Sequence, residues 1–314
     1  MRKGRAVVLL LLVAGLVVLP SFGWGERVVQ DQLGRRVALA GHPERIVCLA
    51  PNLTEIVFEL GQGERVVGAT TYSNHPPAAS TLPRVGSYVR PDLELIAALD
   101  PDLCLATKDG NPLGAVERIE SLGIPVFAVD PRSLDGLMEA ITSLAGLLDA
   151  REQGRELVRG MQSRLTLVRE RVSLARHVPR VFYQVGTGPI VAAGRGAFAN
   201  ELIQAAGGRN VVTLNSAYPR LSMEEVVVLS PEVIILSTMG GEDDAAEFRS
   251  ALSGWASVPA VARGRIHRVE SDLFDRPSPR TVAAVEALAA LLHPDLFPGT
   301  DPDSDPGSDP DCVQ

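Results

Sequence analysis

Ser133 to Arg176 reads SLDGLMEAITSLAGLLDAREQGRELVRGMQSRLTLVRERVSLAR, over forty residues without a proline or a strand-like alternation. Apolar residues recur at helical spacing through Leu137, Ile141, Leu144 and Leu148, then Leu157, Met161, Leu165, Val168 and Val172. Gly154 is the expected point of division into two helices, and Pro179 ends the run. A strand-free connector of this length separates two regions that both alternate strands with helices.

On its N-terminal side, Val28–Gln30 and Arg36–Leu39 flank Asp31-Gln32-Leu33-Gly34, a hairpin-like opening. Strands are expected at Arg45–Ala50, Val66–Ala69, Leu103–Ala106 and Val126–Val129, with helices at Thr54–Leu60, Leu93–Leu99 and Val116–Leu122. On the C-terminal side, strands are expected at Arg180–Val185, Val211–Val212, Val233–Leu236 and Ile266–Val269. Helices there are expected at Ala197–Ala206, Met223–Leu229, Ala246–Trp255 and Thr281–Leu292. Continuous apolar runs alternating with helices indicate parallel sheets covered on both faces. The expected division is an α/β lobe over residues 26–132, a helical spacer over 133–178 and a second α/β lobe over 179–297. Residues 298–314 are rich in Asp, Pro, Ser and Gly and are expected to be disordered. Asp301, Asp303 and Asp305 imitate a calcium loop, but Pro306 holds the position that needs glycine.

The 314 residues are 46% hydrophobic and 22% charged, which excludes a globally disordered chain. A net charge of −8 argues against nucleic-acid binding, which relies on basic surface to neutralise phosphates. Arg2, Lys3 and Arg5 precede an apolar run from Ala6 to Leu19, too short for a membrane span. Pro20 then breaks the run, and Ser21, Gly23 and Gly25 offer cleavage sites. Residues 1–25 therefore read as a cleavable signal peptide with no lipoprotein cysteine behind it, and a periplasmic or otherwise exported protein is expected. Cys48 and Cys104 fall in apolar strands and Cys312 in the tail, so buried free thiols are expected rather than a disulfide framework.

The two lobes echo each other. Arg90-Pro91-Asp92-Leu93-Glu94-Leu95-Ile96 leads to Asp100-Pro101-Asp102-Leu103, and Leu221-Ser222-Met223-Glu224-Glu225-Val226-Val227 leads to Ser230-Pro231-Glu232-Val233. In each, a glutamate precedes a proline by seven and a tyrosine, Tyr88 or Tyr218, precedes that glutamate by six. Glu55 and Glu201 repeat the pattern of a glutamate in the first turn of a helix. Tyr72, Tyr88 and Tyr218 fall in polar or proline-rich connections, and in open α/β sheets such loops gather at the carboxyl ends of strands, where ligands bind. A tyrosine there offers a flat apolar face and a polar tip. Ser222 and Glu225 have capping-box spacing, which leaves Glu224 without a local role. One such glutamate on each lobe, Glu94 and Glu224, suits docking onto two basic sockets of a symmetric partner.

Signatures of common chemistry are missing. There is no G-x-S-x-G elbow, no Walker loop and no H-E-x-x-H, and Gly186-Thr187-Gly188-Pro189 lacks the third glycine of a dinucleotide fingerprint. The five histidines, at 42, 75, 177, 267 and 293, have no ligand spacing, so no metal site is expected.

Residues 27–294 resemble the family of substrate-binding proteins that serve cobalamin, haem and siderophore ABC importers. The resemblance rests on Arg45-Ile46-Val47-Cys48-Leu49-Ala50-Pro51-Asn52-Leu53-Thr54-Glu55, on Leu93–Asp102, on Ser121–Val126 and on Gly207-Gly208-Arg209-Asn210-Val211. Val67–Pro77 and Ser271-Asp272-Leu273-Phe274-Asp275-Arg276-Pro277-Ser278-Pro279-Arg280 lean toward its cobalamin branch. It implies two Rossmann-like lobes joined by a single long helical spacer, with ligand in the cleft between them and little hinge motion. It further implies that Tyr72, Tyr88, Tyr218, Asp272 and Arg276 line that cleft, and that Glu94 and Glu224 dock onto arginines of the two membrane subunits. Tyr88 and Tyr218 stand where the cobalamin branch carries indoles, and Thr107 replaces another aromatic.

The expectation is an exported, monomeric, non-enzymatic receptor without a resident cofactor, which captures a corrinoid and delivers it to an ABC importer. Haem or a ferric siderophore is the alternative ligand, although no dense basic cluster is present for an anionic catecholate. A periplasmic enzyme on the same scaffold would need an acid–base pair, and only Asp272 with Arg276 comes near one, as a hydrogen-bonding pair.

Overall fold

The computed structural model describes residues 27–237 and 253–298. The expected signal peptide, most of the helix expected over Ala246–Trp255 and the acidic tail lie outside the described residues; Ser253–Trp255 itself is a 3-10 turn.

Strands β1 (Arg27–Gln30) and β2 (Arg36–Leu39) form the antiparallel hairpin. Its turn is closed by the buried Asp31, whose carboxylate accepts from the backbone of Leu33 (3.0 Å) and Arg35 (2.8 Å) and from Arg35 Nε (2.8 Å). The first lobe holds a four-stranded parallel sheet of β3 (Ile46–Cys48), β4 (Val66–Ala69), β5 (Leu103–Thr107) and β6 (Val126–Val129), in the order β4-β3-β5-β6. Helices α1 (Pro51–Glu59), α2 (Leu93–Ala98) and α3 (Leu113–Ser121) alternate with these strands. Side chains alternate between two apolar layers: Ile46, Cys48, Leu103, Leu105, Phe127 and Val129 face one, and Val47, Leu49, Cys104, Ala106, Val126 and Ala128 the other. Both faces are dry, as a parallel sheet with crossover helices requires. Cys48 and Cys104 are free and sit on opposite faces, because Cys104 pairs in register with Val47.

The spacer is two helices, α4 (Leu134–Leu147), capped by Ser133, and α5 (Arg151–Val172). The division falls at Leu148–Ala150, where Asp149 takes a left-handed φ of 59°, and not at Gly154. Gly154 lies inside α5 for a packing reason: a Cβ there would come within 2.4 Å of Ala145 Cβ, so its absence lets α5 close on α4. Met161, Leu165 and Val168 turn inward and share one apolar cluster with buried residues of both lobes.

The second lobe contains β7 (Arg180–Gly186), β8 (Ile190–Ala192), β9 (Arg209–Asn210), β10 (Arg220–Leu221), β11 (Val233–Ser237) and β12 (Ile266–Val269). The order is β10-β8-β7-β11-β12, with β9 on the start of β7. β7, β9, β11 and β12 are parallel, while β8 and β10, which the apolar pattern did not announce, run antiparallel. The strand expected at Val211–Val212 is displaced to Arg209–Asn210. Asn210 Oδ1 accepts from the Val212 amide (3.0 Å) and turns the chain out of the sheet. Helices α6 (Phe198–Ala205), α7 (Met223–Leu229), α8 (Pro259–Ala262), α9 (Ser271–Phe274) and α10 (Thr281–Leu292) complete the lobe.

The internal echo extends to the backbone. Glu94 and Glu224 are each the second residue of their helix, after the caps Asp92 and Ser222. Asp100 and Ser230, which end those segments, share a left-handed φ of 46° and 47°. Asp102 then accepts from the Arg45 amide (3.1 Å) and Glu232 from the Arg180 amide (2.9 Å), while Arg45 and Arg180 donate back to the carbonyls of Leu99 and Leu229. Glu201 does lie in a first turn, but Glu55 does not: it sits in the middle of α1, fully buried.

Candidate binding cleft

Parallel strands deliver their following loops to one edge, and the candidate residues collect there. After β4, a chain of buried hydroxyls, Thr54 to Ser73 (3.0 Å) and Ser73 to Thr70 (2.9 Å), pins the loop that carries Tyr72. Arg84 grips the same loop through the carbonyls of Thr70 (3.0 Å) and Ser73 (2.8 Å). The Tyr72 ring is left 50% exposed and meets Tyr88 edge to face, with centroids 6.0 Å apart. Tyr88 is half-buried and its carbonyl is held by Asn111 Nδ2 at 2.8 Å. Asn111, itself buried, also binds the Leu49 carbonyl (2.8 Å) and accepts from the Thr107 amide (2.8 Å), so one side chain ties three loop segments together.

On the second lobe, Tyr218 is carried by a loop laid directly on Gly194. A Cβ there would meet the Ser216 carbonyl oxygen at 2.1 Å, so only glycine permits the approach. Tyr218 is 47% exposed, yet enclosure by surrounding protein pushes its hydroxyl up to about 12, reinforced by Asp275, Asp109 and Tyr88. Asp109 and Tyr88, which add to that rise, belong to the first lobe.

Asp272 and Arg276 are brought together with each other and with the first lobe. They form an ion pair; Arg276 also donates to Asn74 Oδ1 (2.8 Å), the Tyr72 carbonyl (3.0 Å) and Glu55 Oε1 (3.2 Å). Asn74 donates in turn to Asp272 (2.5 Å). Arg280 forks onto both Glu55 oxygens at 3.0 Å. The result is a polar clasp that joins the lobes and includes the Tyr72 carbonyl. Sequence reading missed Glu55 as its centre, although a glutamate inside the apolar run of α1 was the available signal.

Asp275 was also missed. Its Oδ1 accepts from the Tyr183 hydroxyl (2.8 Å) and its Oδ2 from Ser237 (2.7 Å), both donors being fully buried. The residue as a whole is exposed, but enclosure of its carboxyl still pushes it up to about 6, opposed by those two hydrogen bonds and aided by Asp272. Glu94 and Glu224 stand apart from the cleft residues on α2 and α7, exposed and without a partner among the described residues. Ser222 and Glu225 form the expected capping box, at 3.2 and 2.7 Å. Among the described residues no group of three His, Cys, Asp or Glu is placed to hold a metal ion.

The family model described as periplasmic binding protein matches residues 46–273. A vitamin B12-binding protein of Vibrio parahaemolyticus is 30% identical over 253 residues, 79% of this chain and 90% of the relative. The crystal structure of the periplasmic vitamin B12-binding protein of Vibrio cholerae superposes with a TM-score of 0.72 at 30% identity, covering 82% of this chain and 98% of that one. A periplasmic haem-binding protein from Pseudomonas aeruginosa gives a TM-score of 0.75 at 26% identity, covering 80% and 93%.

Proposed function

The chain belongs to the periplasmic binding protein family, and from that premise we propose that it captures a corrinoid, cobalamin or a close relative, between its lobes for an ABC importer. The observation that carries this reading is the aromatic jaw. In this reading Tyr72 and Tyr88, in contact on the first lobe, form one side and Tyr218 of the second lobe the other, with Arg276 of the clasp holding the Tyr72 carbonyl. A flat macrocycle fits between such faces, and each ring contributes apolar contact with a hydroxyl at its rim. The vitamin B12-binding relatives, matched over nine-tenths of their length, support the same ligand.

Haem is the second reading, favoured by the haem-binding structural neighbour. A haem iron draws on an axial ligand, and a tyrosine serves as phenolate. Burial first, and then Asp275 and Asp109, push the Tyr218 hydroxyl up to about 12, which opposes such a role for it.

In this proposal the protein is an exported monomer that binds rather than transforms its ligand. Residues 1–25 are its signal peptide, and residues 26–132, 133–178 and 179–297 are its lobe, spacer and lobe. Glu94 and Glu224 meet basic sockets on the membrane subunits. The test is the absorption spectrum of mature protein repurified after incubation with cobalamin, cobinamide, haemin and ferric chelates in parallel. Corrinoid retention at about one per chain with micromolar or tighter affinity is expected, roughly −8 kcal/mol. Retention of haemin or a ferric chelate with corrinoids excluded overturns it.

A further inference from the structure

Among the described residues, no cation pairs with the carboxylate of Asp275. Its hydrogen-bond partners are two neutral hydroxyls, Tyr183 and Ser237, and the charged group that acts on it is another acid, Asp272. Arg276, one residue along, is directed away into the clasp with Glu55, Asn74 and Asp272. At Tyr218 burial raises the hydroxyl first, and the charged groups that add to it among the described residues, Asp275 and Asp109, are acids. A carboxylate accepts about four hydrogen bonds, two at each oxygen. The buried hydroxyls fill one site on each oxygen of Asp275, and the residue as a whole is exposed. The remaining acceptor sites are therefore open to a ligand.

We propose that Asp275, held by Tyr183 and Ser237, is a specificity-determining acceptor that selects macrocycles bearing primary amides and rejects those bearing carboxylates. The proposal rests on the corrinoid reading and narrows it to the periphery of the ring. An amide N–H completes the carboxylate's hydrogen bonds and gains a charge-assisted bond. A ligand carboxylate at the same place meets like charge, which favours uptake of a proton by one of the two acids. Haem propionates, free corrin acids and anionic siderophores are all opposed in this way, so one residue filters several classes of competitor.

The experiment compares cobinamide, cobyrinic acid (the same ring with its side-chain amides as free acids) and haemin on the wild-type protein and on Asp275→Asn and Ser237→Ala. Wild type is expected to prefer cobinamide to cobyrinic acid by about a hundredfold at neutral pH, and Asp275→Asn to shrink that ratio about tenfold, the range for a hydrogen bond to a charged group. Part of the change should appear as tighter binding of cobyrinic acid. Ser237→Ala, which removes one supporting donor, should lower the ratio about threefold, and serves if Asp275→Asn does not fold. Corrinoid binding with a ratio unchanged in the folded variants overturns the proposal and leaves the corrinoid reading standing. Haemin retained by wild type with both corrinoids excluded overturns the two together.

Discussion

The carboxylate of Glu55, on a helix of the first lobe, receives Arg280 of the second lobe as a fork, with Nε and Nη2 each 3.0 Å from an oxygen. Glu55 is 1% exposed, and Arg276 approaches the same carboxylate at 3.2 Å. Two guanidiniums and one buried acid thus fasten the lobes together. The apolar cluster through α5 fastens them a second time. Little relative motion is expected of lobes held at both levels.

Removing Glu55 strands two guanidiniums in a poorly hydrated place. Glu55→Ala should cost about 3–5 kcal/mol of stability by urea denaturation, and Glu55→Gln less, because the amide still accepts from one arginine. A loss under 1 kcal/mol would show that solvent enters the clasp and replaces the carboxylate.

Tyr88→Ala and Tyr218→Ala should each weaken corrinoid binding by about 1–3 kcal/mol, as truncated aromatic anchors do, with little change in thermal stability. The larger effect is expected at Tyr218, which packs less against its own lobe. Titration calorimetry measures both; unchanged affinity in the pair would make them packing residues.

Glu94 and Glu224 occupy equivalent positions on α2 and α7, and Asp92 and the Ser222–Glu225 box already satisfy the helix starts. Ala at either position should leave ligand affinity intact and reduce uptake in a transport assay, with the double variant lower still. Loss of a buried charge-assisted contact costs about 2–5 kcal/mol. Arg should be worse than Ala. Normal transport by the double variant would remove these residues from the docking surface.

Cys48 is pushed up to about 12 by burial, and Cys104 is shifted upward by the same cause. Both should resist thiol reagents in the native protein at pH 8 and react once it is unfolded, with Cys312 replaced by Ser to clear the readout. A disulfide between them in mass spectra would contradict their placement on opposite faces of the sheet.

Asp275 gives the cleft a pH dependence. The groups that face it are Tyr183 on β7, Ser237 on β11, Asp272 on its own segment and Tyr218 across the loop. Its carboxyl is raised to about 6, so the folded state favours the proton. The resulting stabilisation of the free protein is full below the ordinary carboxylate range and is lost as pH rises through about 6. Binding of amide donors needs the ionised form and has the opposite sign: affinity is full above about 6 and falls as the acid takes up its proton. Titrations between about pH 4.5 and 7.5 should show this fall in wild type and its loss in Asp275→Asn. Equal slopes in the two proteins would show that ligand does not meet Asp275.

Sequence by itself determined what is decided within a few residues. The helical run of α4 and α5 follows from period 3.6, the buried strands from short apolar runs bounded by turns, and the Ser222–Glu225 cap from a three-residue spacing. The matched positions of Glu94 and Glu224 were legible for the same reason, since each is fixed by its own helix start. Where a side chain reaches across the chain, the local pattern carries no information. Asp272 and Arg276 could be named, but their partners Asn74 and Glu55 lie some two hundred residues away, and only folding shows that the pair closes a clasp. Gly154 looked like a helix break, because local propensity penalises glycine; its value lies in the close approach of α4 to α5. Asp275 was indistinguishable in sequence from its neighbour Asp272. The tertiary structure separated them by giving one an arginine and the other, among the described residues, two hydroxyls, a difference in partners that no local pattern carries.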